Sequence, residues 1–169
     1  MSDCCNKTPQ PRLSNPRQRC PQCRTKGKSV GTQIVKAMLS ISLEAIQASI
    51  YYFCPTETCP VVYFAADSQQ VFTGVELRER VHQKAPLADD VFICYCFQHT
   101  RKSLRDEIHT TGHSTAVQNI NAAIRSGLCA CDIRNPQGSC CLGNVKAVLQ
   151  SLLSTQPRQR LAAKLGNRI

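Results

Sequence analysis

The stretch IYYFCPTETCPVVYF, residues 50–64, decides the first half of the fold. It contains two apolar, aromatic runs, Ile50 to Phe53 and Val61 to Phe64, joined by a polar turn with a cysteine at each end. Aromatic and β-branched residues bounded by turn residues are typical of strands, so the stretch predicts a β-hairpin. Its turn can aim the thiols of Cys54 and Cys59 at one ligand.

A second cysteine pair, CPQC at residues 20–23, precedes the hairpin, and thirty residues lie between the two pairs. Two such pairs form a closed tetrahedral sulfur cage, which suits zinc. Because the cage leaves no open position, the site is structural, and it stabilises a small domain with a limited core. The sequence therefore predicts zinc bound by Cys20, Cys23, Cys54 and Cys59. A redox-active CxxC and rubredoxin-like iron are the alternatives.

Composition supports metal ligation by the cysteines. The chain has 169 residues, 12 cysteines and no tryptophan, so small domains within it need an additional cross-link to be stable. The amino terminus lacks the apolar run of a secretory signal and no stretch is apolar enough to span a membrane, which predicts a cytoplasmic protein without membrane insertion. Thiols stay reduced in that compartment, which favours metal ligands over the alternative, a disulfide framework.

The formal net charge of +10 indicates an anionic partner such as nucleic acid. The basic residues are concentrated at the chain ends, however: seven Lys or Arg stand against one Asp before residue 30, and no acid follows Asp132. Solvated ends explain this distribution as well as a binding face does, so nucleic-acid binding is the weaker interpretation.

The pattern predicts an α+β protein of two domains. A disordered basic arm, 1–18, precedes a zinc-binding domain, 19–83, made of a helix over 34–46 with a possible break near residues 40–42, the hairpin and further strands over 71–81. The linker HQKAPLADD leads to a helical domain, 90–153, and a basic tail, 154–169. In the helical domain, Thr100 and Ser114 are predicted helix caps and Gly127 a helix stop.

Two cysteines one residue apart mark the start of the helical domain, in VFICYCF at residues 91–97. On an extended backbone Cys94 and Cys96 point the same way, and a disulfide between them would have poor geometry. They therefore predict a shared metal centre. A 2Fe-2S cluster needs four thiolates, and the loop GLCACDIRNPQGSCC offers four partners for the first two: Cys129, Cys131, Cys140 and Cys141.

The segments YYFCPTETCPVVYF, VFICYCF, TGHSTAVQNI and CDIRNPQGSCCLG resemble the zinc and 2Fe-2S amino-terminal region of CopZ-type copper chaperones, over roughly residues 18 to 145. The second half alone is similar to bacterioferritin-associated ferredoxins. This resemblance implies that the cluster ligands are Cys94, Cys96, Cys131 and Cys141, with Cys129 and Cys140 as alternative ligands. The family usually continues into a heavy-metal-associated domain with a GMxCxxC loop, which does not follow Cys141 here.

We therefore expect a non-enzymatic metal-binding protein with a structural zinc and a 2Fe-2S cluster. Its expected role is one-electron transfer, or redox sensing, in the handling of copper or another soft metal. A ferredoxin or cluster scaffold that docks a redox protein partner is the first alternative, and a basic zinc-ribbon protein that binds nucleic acid is the second. Cys4 and Cys5 are a candidate soft-metal pair, and His99 is an alternative cluster ligand.

Overall fold

The computed structural model describes the backbone of residues 18–165 and the side chains of residues 18–154. A four-stranded antiparallel sheet of order β1-β2-β3-β4 forms the first half, with a short helix, Thr32–Met38 (α1), after its first strand. The strands are Lys28–Val30 (β1), Tyr51–Phe53 (β2), Val61–Ala65 (β3) and Val71–Thr73 (β4). The predicted hairpin is confirmed as β2 and β3, in which Tyr52 pairs with Phe64.

Both faces of this sheet are buried, which explains why β2 and β3 are continuously apolar instead of alternating. On one face, Tyr51 and Phe53 join the core that contains the buried side chains of α1. On the other face, the rings of Tyr52 and Phe64 stack with centroids 5.5 Å apart, and they cluster with buried cysteines. The sheet therefore separates an ordinary apolar core from a cysteine-rich one.

Helices packed around a small hairpin form the second half. The hairpin consists of Phe92–Cys94 (β5) and His99–Thr100 (β6), and the helices are Arg101–Thr111 (α2), Ala116–Arg125 (α3), Cys131–Arg134 (α4) and Leu142–Leu165 (α5). Five of the most deeply buried core side chains are those of Ile93, Leu104, Ile108, Ile120 and Val145. The chain is thus a mixed helix and strand protein, as the sequence predicts.

The turn between α2 and α3 is fixed by side-chain hydrogen bonds. Helix α2 begins as predicted, because the Thr100 hydroxyl accepts a hydrogen bond from the Ser103 N–H at 3.1 Å. The cap position of α3 is Thr115 and not the predicted Ser114, whose hydroxyl accepts from the Ala116 N–H at 3.3 Å. The carboxylate of Glu107 accepts from the Ser114 hydroxyl at 2.6 Å and from the Thr115 N–H at 2.8 Å, so it joins the two helices.

Three predicted elements are shorter in the structure than the sequence indicates. The helix predicted over 34–46 ends at Met38, because the extended Leu39 pairs with Leu77 in an isolated bridge. The strands predicted over 71–81 are limited to β4, which is followed by a 3-10 turn, Gly74–Glu76. The extended backbone predicted through both cysteines of VFICYCF ends at Cys94, and Cys96 lies in the tight turn between β5 and β6.

The structure describes only part of the two chain ends. The predicted arm, 1–18, lies outside the described residues except for Gln18, and so do Cys4 and Cys5. Of the predicted basic tail, 154–169, the backbone as far as Leu165 continues helix α5. Among residues 18–165, none of the helices combines the length and the apolar character needed to cross a membrane.

The two halves share an interface. The predicted linker, 82–90, begins with a 3-10 turn, His82–Lys84, whose first side chain is buried. The Tyr95 hydroxyl accepts a hydrogen bond from the His82 N–H at 2.9 Å and donates one to the Arg80 carbonyl at 2.7 Å. Helix α1 also packs against α4. The boundaries 19–83 and 90–153 stay predictions, but the segment between them is not an extended linker.

Candidate metal centres

The first candidate centre gathers four thiols from two turns. The turn that carries Cys20 and Cys23 is closed by backbone hydrogen bonds of 2.9 Å, from the Cys20 N–H to the Thr25 carbonyl and from the Arg24 N–H to the Cys20 carbonyl. Cys54 directly follows β2, and its N–H donates to the Val62 carbonyl of β3 at 2.9 Å. Cys59 lies two residues before β3, so the hairpin holds the second pair.

These four sulfurs form one compact group. The Sγ atoms of Cys20 and Cys59 are 3.8 Å apart and those of Cys23 and Cys54 are 3.5 Å apart. All four lie within 4.8 Å of one another, three of them buried and that of Cys23 half-buried. A metal–sulfur bond of about 2.3 Å puts the sulfurs of a tetrahedral site about 3.8 Å apart. The predicted set of four residues is therefore brought together at the spacing of a tetrahedral metal site.

The two cysteines of the first turn differ in acidity. Burial raises the pKa of the Cys20 thiol to about 12. Burial also acts on Cys23, but hydrogen bonds with Thr56, Thr25 and Cys54 outweigh it and lower the pKa of the Cys23 thiol to about 5. The Cys23 Sγ lies 3.4 Å from the Thr56 hydroxyl oxygen. Sequence reasoning did not identify Thr56 as a partner of the site, although its position between Cys54 and Cys59 in the turn CPTETC indicates that it lies close to the thiols.

The second candidate centre collects thiols from three segments. Cys94 is the last residue of β5 and Cys96 follows in the tight turn. Cys131 is the first residue of α4, and Cys129 precedes it by two residues. Cys141 lies directly before α5. Folding of α2 and α3 returns the chain to the β5–β6 hairpin, which is why residues so far apart in sequence meet.

Cys131 lies at the middle of this group. Its Sγ is 3.8 Å from that of Cys96 and 3.2 Å from that of Cys129. The Cys131 thiol also forms a hydrogen bond with that of Cys141, which in turn bonds to that of Cys94. Cys94, Cys131 and Cys141 are buried, whereas Cys96 and Cys129 are half-buried. The four cysteines that the resemblance implies as cluster ligands, and Cys129, therefore lie in or against one hydrophobic cluster, but of these five only Cys96, Cys129 and Cys131 have Sγ atoms that all lie within 4.8 Å of one another.

Crowding shifts the acidity of these thiols in opposite directions. The hydrogen bond with Cys141 lowers the pKa of the Cys131 thiol to about 5 and that of the Cys94 thiol to about 7. The same hydrogen bonds, together with burial, raise the pKa of the Cys141 thiol. Neighbouring buried thiolates repel one another, so full deprotonation of the group requires a bound cation.

Two of the predicted alternatives lie outside this group. Cys140 is exposed, although it is adjacent to Cys141. His99 is half-buried in β6, and burial lowers the pKa of its imidazole. Among the described residues, neither belongs to a set of three or more mutually close metal-binding side chains.

The segment RNPQGS between Cys131 and Cys141 forms a turn. Asn135 is buried, and its side-chain amide donates to the Ser139 carbonyl at 2.7 Å. The Gly138 N–H donates to the Asn135 carbonyl, also at 2.7 Å. An asparagine that bonds to nearby backbone in this way stabilises a turn. The turn therefore sets where Cys141 enters the group.

Comparison with known proteins defines the class. A family model of CopZ type, described as a zinc-binding domain, matches residues 17–78, which include all four cysteines of the first centre. The copper chaperone CopZ of Archaeoglobus fulgidus is 36% identical over 123 residues, or 73% of this chain and 57% of that protein. The X-ray structure of the A. fulgidus CopZ N-terminal domain superposes with a TM-score of 0.65 at 33% identity, covering 77% of this chain and 96% of that one.

The chain therefore belongs to the family of the CopZ amino-terminal domain, and its first half is a zinc-binding domain of that family. It spans 57% of the length of the curated relative that it matches. The family model does not extend beyond residue 78, so it does not include the cysteines of the second centre.

Proposed function

We propose that this protein handles copper or another soft metal, with a structural zinc at the first centre and a 2Fe-2S cluster for one-electron transfer at the second. The observation that carries the proposal is the convergence of buried thiols from the β5–β6 hairpin and from the α4 region. It is supported by the membership of the chain in the family of a protein named a copper chaperone.

The donor set of the first centre fits zinc. Four sulfurs within 4.8 Å of one another provide a complete tetrahedral shell, with no position for water or substrate. A closed shell of this kind stabilises a fold and does not perform chemistry. We assign the zinc to Cys20, Cys23, Cys54 and Cys59, which would tie the first turn to the β2–β3 hairpin.

The donor set of the second centre fits a 2Fe-2S cluster. Cys94 and Cys96 would supply two thiolates from the β5–β6 hairpin. Cys131 and Cys141 would supply the other two from the segment between α3 and α5. When bound, such a cluster exchanges one electron, which matches the single-electron difference between Cu(II) and Cu(I). The protein would act without catalytic residues of its own, and thiolate ligation suits a reducing compartment such as the cytoplasm.

The chain's own residues prepare this site. The Cys141 thiol, and then the backbone N–H groups of Phe97 and Cys96, lower the pKa of the Cys94 thiol, which favours a thiolate there. Cys94 and Cys141 are almost fully buried and keep water from the inner side, whereas the half-buried Cys96 lies nearer the surface. Hydrogen bonds and limited solvent access of this kind set the potential of iron–sulfur centres.

The test is metal analysis of the full chain purified without oxygen, together with its visible spectrum. About two irons and two sulfides per chain, and about one zinc, are expected. Cys94→Ser should lose the iron, the sulfide and the red-brown colour, while Cys54→Ser should lose the zinc. Cys140→Ser is the matched control, because it changes an exposed cysteine next to a proposed ligand.

A colourless, zinc-containing protein from that preparation would disprove the cluster assignment and leave nucleic-acid binding as the next function to test. In that case, affinity for nucleic acid should fall steeply with salt. A cluster-containing protein that exchanges electrons with a redox protein but not with copper would favour the ferredoxin or scaffold alternative.

A further inference from the structure

Cys129 has no role in the centres assigned above, yet its thiol lies among those of the second centre. Its Sγ is 3.2 Å from that of Cys131, and the Sγ atoms of Cys96, Cys129 and Cys131 all lie within 4.8 Å of one another. In the described part of the chain, no fourth His, Cys, Asp or Glu lies within 4.8 Å of all three, although Cys141 interacts with Cys131 alone of the three. We propose that Cys96, Cys129 and Cys131 form a three-thiolate site for Cu(I) when the 2Fe-2S cluster is not bound.

The dimensions suit a three-coordinate ion. A metal–sulfur bond of about 2.3 Å in a flat triangle puts the sulfurs about 4.0 Å apart. The Cys96–Cys131 distance of 3.8 Å already agrees, and the Cys129–Cys131 distance of 3.2 Å must open by less than 1 Å. Cys129 lies in the irregular segment between α3 and α4, where the backbone can make this adjustment.

The site is reachable from solvent. Cys96 and Cys129 are half-buried, and the neighbouring Leu128 is 68% exposed. Cys94 and Cys141, in contrast, are 0% and 1% exposed. An ion that arrives from solution therefore meets the three-thiol group before it meets the inner pair.

Ligand chemistry selects Cu(I) over other common ions. Soft thiolates favour Cu(I), zinc and iron–sulfur clusters, and zinc in structural sites takes four protein ligands. Three thiols without a fourth protein ligand therefore fit Cu(I) better than zinc. On binding, each sulfur forms one bond to copper, any thiol that is still protonated releases its proton to solvent, and no electron is transferred.

Cys96 and Cys131 belong both to this site and to the proposed cluster. Only this sharing rests on the proposed function, and it has a consequence: Cu(I) and the cluster exclude each other. Cys129 then distinguishes the copper-bound protein from the cluster-bound protein, since it binds Cu(I) but does not bind the cluster. The centre would hold either Cu(I) or the cluster, but not both.

The experiment uses the full chain in a Cys4→Ser, Cys5→Ser background, so that the amino-terminal thiols do not contribute. Cluster-free, zinc-loaded protein is titrated with Cu(I) without oxygen against a coloured Cu(I) chelator, and the zinc retained is measured. Cys129→Ser should weaken Cu(I) binding by about 100-fold or more, because even outer partners change metal affinity by about 10- to 100-fold. Cys140→Ser, which changes an exposed cysteine, should bind Cu(I) as the parent does.

The same variants separate this proposal from the cluster assignment. Cys129→Ser should keep the iron content of the parent and Cys94→Ser should lose it. Parent-like Cu(I) affinity in Cys129→Ser would overturn the copper site and leave the cluster assignment intact. Loss of iron in Cys129→Ser would make Cys129 a cluster ligand and overturn the proposal as well. X-ray absorption of the Cu(I)-loaded parent should show three sulfur neighbours, and two in Cys129→Ser.

Discussion

The hydroxyl of Tyr63 donates a hydrogen bond of 2.7 Å to the carbonyl oxygen of Pro136, and both residues are buried. The bond joins the centre of the sheet to the turn between Cys131 and Cys141. Beside it, the Lys28 side chain of β1 donates to the Ser139 hydroxyl, and Val30 lies next to Gly138. The zinc-binding half is therefore the support on which the second cysteine centre is built.

Removal of this single hydroxyl should loosen the turn. Tyr63→Phe keeps the ring in the core but leaves the buried Pro136 carbonyl without its donor. An unsatisfied buried carbonyl costs about 1–3 kcal/mol, so we expect the free energy of unfolding to fall by about that amount. Denaturant unfolding measures this loss, and the visible spectrum should show faster bleaching in air of the cluster proposed for the second centre.

Tyr52→Phe is the matched control, because it removes a hydroxyl from the neighbouring strand on the cysteine-rich side of the sheet, where the ring stacks on Phe64. It should leave the bleaching rate of the second centre unchanged. Equal bleaching rates in Tyr63→Phe and the parent would mean that the Pro136 contact does not position the turn.

Gly138 provides a second test of the contact between the halves. Its φ of +65° is in the left-handed region, and an added Cβ would lie 3.1 Å from Val30 Cγ1. Gly138→Ala should therefore cost about 1–2 kcal/mol of backbone strain and, in addition, push the turn away from β1. Unfolding by denaturant gives the total cost, and iron content per chain shows whether Cys141 is displaced.

Gly112→Ala separates strain from the steric contact, because Gly112 also has a positive φ, +81°, but an added Cβ would meet nothing within 4 Å. We expect Gly138→Ala to be the more destabilising of the two and the Val30→Ala, Gly138→Ala double variant to recover part of the difference. A double variant with no recovery would contradict the proposed clash.

Sequence patterns predicted the local parts of this architecture and missed the parts that depend on tertiary contacts. The hairpin and the cap at Thr100 follow from residue type and spacing over a few positions. Strand β1 has the polar sequence KSV and is a strand because it pairs with β2. The Tyr63–Pro136 bond joins residues 73 positions apart, which no local pattern indicates.

The cysteine sets show the same limit. The two pairs of the first centre were predictable, because each pair lies within one short turn. In the second centre, spacing left four partners open, and the structure brings three of them close: Cys129, Cys131 and Cys141. Which thiols meet depends on the start of α4 at Cys131 and on the turn after it, and these are set by packing against α1 and the sheet.

Zinc removal should weaken both halves. Strong chelation of the parent, or Cys54→Ser, breaks the tie between the first turn and the hairpin, and binding free energy of a structural zinc is folding free energy. We expect a lower melting temperature and loss of the near-ultraviolet signal of the stacked Tyr52. The second centre should then bleach faster, because its turn rests on the same sheet. A melting curve that is unchanged after zinc is removed would contradict a structural role.

His82 makes stability depend on pH. Its side chain is buried at the start of the 3-10 turn between the halves. Burial, and then the positive charge of Arg101, lowers the pKa of His82 below its ordinary value of 6.5. The folded protein therefore binds this proton less readily than the unfolded chain does. Stability from the neutral imidazole is present above about pH 6.5 and is lost as the pH falls below it.

His82→Gln should flatten this dependence. Between about pH 7.5 and 5.5, the free energy of unfolding of the parent should fall more steeply than that of the variant, because the buried imidazole no longer has to be kept neutral. His109→Gln is the control, since His109 is exposed on α2. Zinc content is measured at each pH, because protonation of thiolate ligands also releases metal. Parallel pH profiles for the parent and His82→Gln, at equal zinc content, would show that His82 does not couple protonation to the interface between the halves.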